Sequence, residues 1–92
     1  MPTRTVVVGS ASGLHARPAA LFVAAAAKQP VQVTIRTGDK KPVPARSMLS
    51  VLSLGAKKGT EVTLEAVDGD LAQAAVDALA DLLERDLDAD DA

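Results

Sequence analysis

The stretch Gly13-Leu14-His15-Ala16-Arg17-Pro18-Ala19 sets the chain's single histidine directly ahead of residues that suit the beginning of a helix. Proline has no amide hydrogen and a fixed φ, so the first helical turn tolerates it, and Gly13 marks a turn just before. The alanine-rich run from Pro18 to about Lys28 favours helix, with Ala19, Phe22, Val23 and Ala26 falling at i, i+3, i+4 and i+7 to make one apolar stripe, and Pro30 closes it. If the helix begins near Ala16, the amides of Ala16 and Arg17 have no intrahelical acceptor and, with the positive end of the macrodipole, point toward the imidazole. That is a place for an anion. The same positive end disfavours protonation of His15 and so favours the neutral, nucleophilic imidazole. Arg17 adds a permanently charged donor fork suited to phosphoryl oxygens. By itself, a loop histidine in a small protein is more often solvated than chemical.

Outward from this segment the chain alternates strand and helix patterns. Arg4 to Val8 reads as a strand with Val6 and Val8 toward a core and Thr5 and Val7 away from it. Gly9 to Gly13 is a loop. Val31, Val33 and Ile35 alternate with Gln32, Thr34 and Arg36 as a half-buried second strand, which turns at Gly38-Asp39. The returning segment holds Pro42 and Pro44, which cannot donate to a ladder, so the third strand belongs at a sheet edge.

Ser47 fits the N-cap of a short helix that runs to Leu54 and is stopped by Gly55. Met48, Leu49 and Leu52 share one surface of it and Val51 and Leu54 another. Burial of all five and exposure of the first three are both open on pattern alone. Thr60 to Val67 alternates again, with Val62, Leu64 and Ala66 on one side. Asp70 is then expected to cap a last helix, with Gln73 three residues on and Ala72, Ala75, Val76, Leu79, Leu82 and Leu83 as its buried stripe. The segment 85–92 is dense in aspartate, which is unfavourable at a helix C-terminus, and is expected to fray beyond an ordered region of about residues 3–84. The order β-α-β-β-α-β-α places three helices against one face of an antiparallel sheet, an α+β open-faced two-layer sandwich in a single domain, 1–92.

Composition narrows the function. With 92 residues, 48% of them hydrophobic, the chain makes one small core. The absence of cysteine excludes disulfides and thiolate metal sites, and a lone histidine gives poor metal ligation, so no metal and no cofactor are expected. A net charge of −2, no Trp or Tyr and one Phe argue against nucleic-acid binding. Lys40, Lys41, Arg46, Lys57 and Lys58 could form a local basic rim, though such residues are usually a solvated face. No stretch has the length and apolarity of a membrane span or signal-peptide core, which points to a cytoplasmic protein.

The Gly13–Ala19 heptapeptide resembles the active-site signature of the HPr family, the histidine-containing phosphocarriers of the bacterial phosphoenolpyruvate:sugar phosphotransferase system. Ala45-Arg46-Ser47-Met48-Leu49-Ser50-Val51-Leu52-Ser53-Leu54-Gly55 resembles that family's regulatory-serine segment, and Lys58-Gly59-Thr60-Glu61-Val62-Thr63-Leu64 resembles the strand after it. The likeness runs from about Thr3 to Glu84. It implies a four-stranded sheet in the order 1-4-2-3 and a phosphoryl group carried on Nδ1 of His15, with the backbone of Ala16 and Arg17 and the Arg17 guanidinium receiving its charge. It implies docking through Ala20, Met48, Leu49 and Leu52 to Enzyme I, the donor, and to Enzyme IIA domains, the acceptors. It also implies regulatory phosphorylation at Ser47 by an HPr kinase/phosphorylase, with a transcriptional regulator as a further partner. The spacing from His15 to Ser47 is one residue longer than the family's usual, most easily placed in the Gly38 to Pro44 turn. A carrier of this kind is a monomer that changes no small molecule itself, rather than an enzyme. A regulatory binding module of the same fold and a nitrogen-branch phosphocarrier stay open beside it.

Overall fold

Apolar residues at every second position, broken by Gly and Pro, give the chain its strands, and segments with apolar residues three and four apart give its helices. In the computed structural model, which describes residues 2–9, 13, 16–38, 40–67 and 69–85, the order is β1 (Thr3–Val7), α1 (Ala16–Ala27), β2 (Val33–Thr37), β3 (Val43–Pro44), α2 (Met48–Ser53), β4 (Glu61–Ala66) and α3 (Ala72–Glu84). The strands form one antiparallel sheet in the order β1-β4-β2-β3, as expected. β4 lies between β1, with Val6 opposite Val62, and β2, with Ile35 opposite Leu64.

The helices cover one face of this sheet. Val6, Val33, Ile35, Val62, Leu64 and Ala66 point into the core, where they meet Ala19, Phe22 and Ala26 of α1, Val51 of α2, and Ala75, Val76, Leu79 and Leu83 of α3. Ala80, which the stripe on the last helix left out, is fully buried too, while Leu82 is only half-buried. The open face carries Thr5, Val7, Thr34, Arg36, Thr63 and Glu65. At its centre Thr63 is nonetheless buried, with its hydroxyl 3.0 Å from that of Thr5.

Arg4 sits at the β1 edge on the helix side and reaches across to Asp77, Asp81 and Glu84 of α3 at 3.5, 3.2 and 3.0 Å. One guanidinium thus ties the first strand to the last helix. These groups are partly solvated, so the cluster contributes about 1 kcal/mol or less.

Three local expectations are corrected. Asp70 does not cap α3: the N-cap is Leu71, at φ −104 and ψ −1, with no side-chain cap hydrogen bond. The chain is already turning there, as the Ala72 amide donates to the Gly69 carbonyl and the Ala75 amide to the Leu71 carbonyl, so a side-chain cap lacks the extended backbone it requires. Gln73 instead donates along the helix to Asp77 at 3.0 Å. The second strand begins at Val33 rather than Val31, because the ladder with β4 ends at the Val33–Ala66 pair. The first strand is Thr3–Val7, although Val8 remains buried and its amide donates to the Thr60 carbonyl at 3.0 Å. Of the tail expected to fray, 85–92, all but Arg85 lies outside the described residues.

Candidate functional site

α1 begins at Ala16, the residue after the histidine. Its first residues are Ala16, Arg17 and Pro18, so the amides of Ala16 and Arg17 belong to the turn that has no intrahelical acceptor, and Pro18 forfeits no hydrogen bond by lacking one. Arg17 is exposed, while Pro18 and Ala19 are buried and seat the helix start in the core. His15 itself, with Leu14 and residues 10–12, lies outside the described residues.

Both ends of the loop leading to this helix are tightly held. At one end, the Gly9 amide donates to the Leu83 carbonyl at 2.9 Å, and a Cβ on Gly9 would fall 2.1 Å from the Glu84 carbonyl oxygen. At the other, Gly13 is buried at φ +73, and a Cβ there would fall 2.4 Å from the Ala56 carbonyl oxygen. Only glycine combines that φ with that approach. Gly9 thus lies against the C-terminal turn of α3 and Gly13 against the segment after α2.

α2 packs against α1 and brings the second motif to the same side of the molecule. Ser47 is its N-cap, extended at φ −95 and ψ 110, and its Oγ accepts from the Ser50 amide at 3.2 Å. Arg46 donates to the Gln29 carbonyl at 2.9 Å, fixing the start of α2 beside the end of α1. Val51 and Leu54 are core, whereas Leu49 is 78% exposed and Leu52 39%. Met48 is only partly buried and packs on the core, so it belongs to both surfaces. Ala20 is exposed on α1, as is Leu21 at 40%. The candidate docking surface is therefore centred on Leu49 and Leu52, whereas exposed Leu21, off the core stripe, lies on the side of α1 that faces α3, with Leu82 and Arg85.

Among the described residues there is no cluster of three His, Cys, Asp or Glu that could hold a metal. No described helix is long and apolar enough to cross a membrane.

The strand order and the three helices on one face define an open-faced α+β sandwich, in which a helix begins at the residue after a histidine and carries an exposed arginine at its second position. A model of the family described as the PTS HPr component phosphorylation site matches residues 2–85. The phosphocarrier protein HPr of Streptomyces coelicolor is 51% identical over 88 residues, 96% of this chain and 94% of that protein. A crystal structure of HPr from Thermoanaerobacter tengcongensis superposes with a TM-score of 0.82 at 43% identity, covering 91% of this chain and 92% of that one. A second structure from that organism, described as an HPr dimer, gives a TM-score of 0.66 at 47% identity over 78% of this chain and 80% of that one. The chain belongs to the HPr phosphocarrier family.

Proposed function

We propose that the chain relays a phosphoryl group on His15, taking it from phosphorylated Enzyme I and giving it to an Enzyme IIA domain. The observation that carries this reading is the start of α1 at Ala16, which puts two amides without intrahelical acceptors, and then Arg17, directly after the histidine. In the transfer, a bond forms between phosphorus and Nδ1 of His15 as the bond from phosphorus to the donor breaks. The second transfer reverses this toward the acceptor. Such a reaction has a loose transition state, so alignment and charge stabilisation supply most of the rate. The amides of Ala16 and Arg17 and the Arg17 guanidinium are the groups that supply them here. A P–N bond keeps its transfer potential, which suits a carrier acting in the cytoplasm as a monomer.

Exposed Ala20, Leu49 and Leu52, with partly buried Met48, form the surface to which we assign both partners. We assign Ser47 a second, regulatory role. A phosphate there would sit at the start of α2, beside Leu49, and bring negative charge into the docking surface. Its writer would be an HPr kinase/phosphorylase and its reader a transcriptional regulator.

Incubation with phosphoenolpyruvate and Enzyme I tests the central step by intact mass and 31P NMR. One acid-labile phosphoryl group is expected, lost in His15→Ala and acquired more slowly in Arg17→Ala with an unchanged circular dichroism spectrum. A phosphoryl group that survives His15→Ala would move the acceptor to another residue.

A further inference from the structure

Cysteine and methionine are the side chains that peroxides oxidise most readily, and this chain has no cysteine and two methionines, Met1 and Met48. Met48 is the first residue of α2, directly after the Ser47 cap and directly before Leu49, which at 78% is the most exposed large apolar residue among those described. It is half-buried, packed on the core yet open to solvent on the rest of its surface. The chain's sensitivity to peroxide therefore falls, Met1 apart, on the one face that the fold leaves apolar and uncovered beside Ser47. We propose that Met48 is an oxidation site, at which a peroxide converts the thioether to the sulfoxide and weakens docking at the α2 surface. This rests on the reading of Leu49 and Leu52 as that surface.

The step balances with hydrogen peroxide as its only co-reactant. A sulfur lone pair attacks one peroxide oxygen, an S–O bond forms as the O–O bond breaks, and the other oxygen leaves as water. The sulfur is oxidised by two electrons and the peroxide is reduced by two. The product carries a strong hydrogen-bond acceptor on a side chain that was apolar throughout. Left against the core, that oxygen is a desolvated polar group, which is costly. Turned out to water, it takes apolar area from the surface beside Leu49 and hydrates what remains. Both placements weaken an apolar contact. The other residues of α2 do not share this chemistry, since Leu49, Val51 and Leu52 end in hydrocarbon and Ser50 and Ser53 in hydroxyls. A leucine at position 48 would fill a similar volume without it. The change is reversible: a sulfoxide reductase supplied with two thiols restores the thioether and releases water and a disulfide.

The test treats the full chain with hydrogen peroxide, removes the oxidant, and follows each methionine by peptide mass mapping, with Met1 as the internal standard. Met48 should gain one oxygen at a rate within about tenfold of Met1. The oxidised protein, its fold checked by circular dichroism, should bind Enzyme I about tenfold or more weakly in calorimetric titration and melt at a lower temperature. Reduction by a methionine sulfoxide reductase should restore both. In Met48→Leu, where Met1 is still oxidised, affinity should be the same before and after treatment. Met48→Gln, polar and of similar length, should weaken binding with no oxidant present. A Met48 that stays reduced while Met1 is fully oxidised would overturn the proposal. So would unchanged affinity of the sulfoxide form. If Leu49→Asp still weakens binding in that case, the docking surface stands and the oxidation site alone is lost, whereas no effect in either would remove both.

Discussion

Thr37 ends β2 with its side chain in the core, and its hydroxyl has no hydrogen-bond partner among the described residues. A buried hydroxyl left unpaired costs about 1–3 kcal/mol relative to one that is satisfied. Valine has nearly the same shape and suits a strand, so Thr37→Val is expected to stabilise the protein by about 1 kcal/mol, a rise in Tm of about 4–8 °C. Calorimetry checks this, and an unchanged or lowered Tm would mean that the hydroxyl has a partner. At the same scale Gly13 shows how a residue can serve the site without touching an anion. Its left-handed backbone and its approach to Ala56 fix where the loop re-enters the fold, two residues before His15.

α2 is a six-residue helix and is too short to be stable by itself, so its cap and its one fully buried residue, Val51, define it. Removing the cap hydroxyl in Ser47→Ala should destabilise the protein by about 1 kcal/mol, while Ser47→Asp should retain most of the stability by capping in the same way. Thermal melts of the two variants separate Ser47 as a cap from any regulatory role. On the outer side of the helix, Leu49 is the sharper probe of docking. Leu49→Asp should leave Tm nearly unchanged and weaken Enzyme I binding at least tenfold, about 1.4 kcal/mol, in calorimetric titration. Met48→Asp should weaken binding and lower Tm together, since Met48 also packs on the core. Unchanged affinity in Leu49→Asp would remove this face from the interface.

Across the whole molecule one core is shared by all three helices and the sheet, and Leu79 is among its largest fully buried side chains. Leu79→Ala should cost about 2–5 kcal/mol, a large part of the roughly 5–15 kcal/mol that small domains possess. Tm should fall by about 10 °C or more. With no Trp or Tyr in the chain, far-UV circular dichroism and calorimetry are the natural probes, and their transitions should coincide if the domain unfolds as a unit. A drop of only a degree or two would mean that the cavity collapses.

Alternation in the strands, the α1 stripe through Phe22, the Ser47 cap and the edge position forced by Pro42 and Pro44 could all be read from the sequence, because each depends on neighbours within a few residues. The helix start beside His15 could be read for the same reason, and the family followed from two ordered motifs. The Asp70 cap was misjudged because the backbone carbonyl of Gly69 took the Ala72 amide it would have served, a competition that residue identity does not reveal. What the tertiary structure alone decided depends on residues far apart in the chain: Arg4 across three carboxylates of α3, Gly13 against Ala56, Thr37 buried with no hydroxyl partner among the described residues, and Arg17 and Lys28 brought around one groove with Arg85. Local periodicity and capping are set by side-chain spacing along one element, whereas these juxtapositions exist only once the sheet order and helix packing have closed the chain on itself.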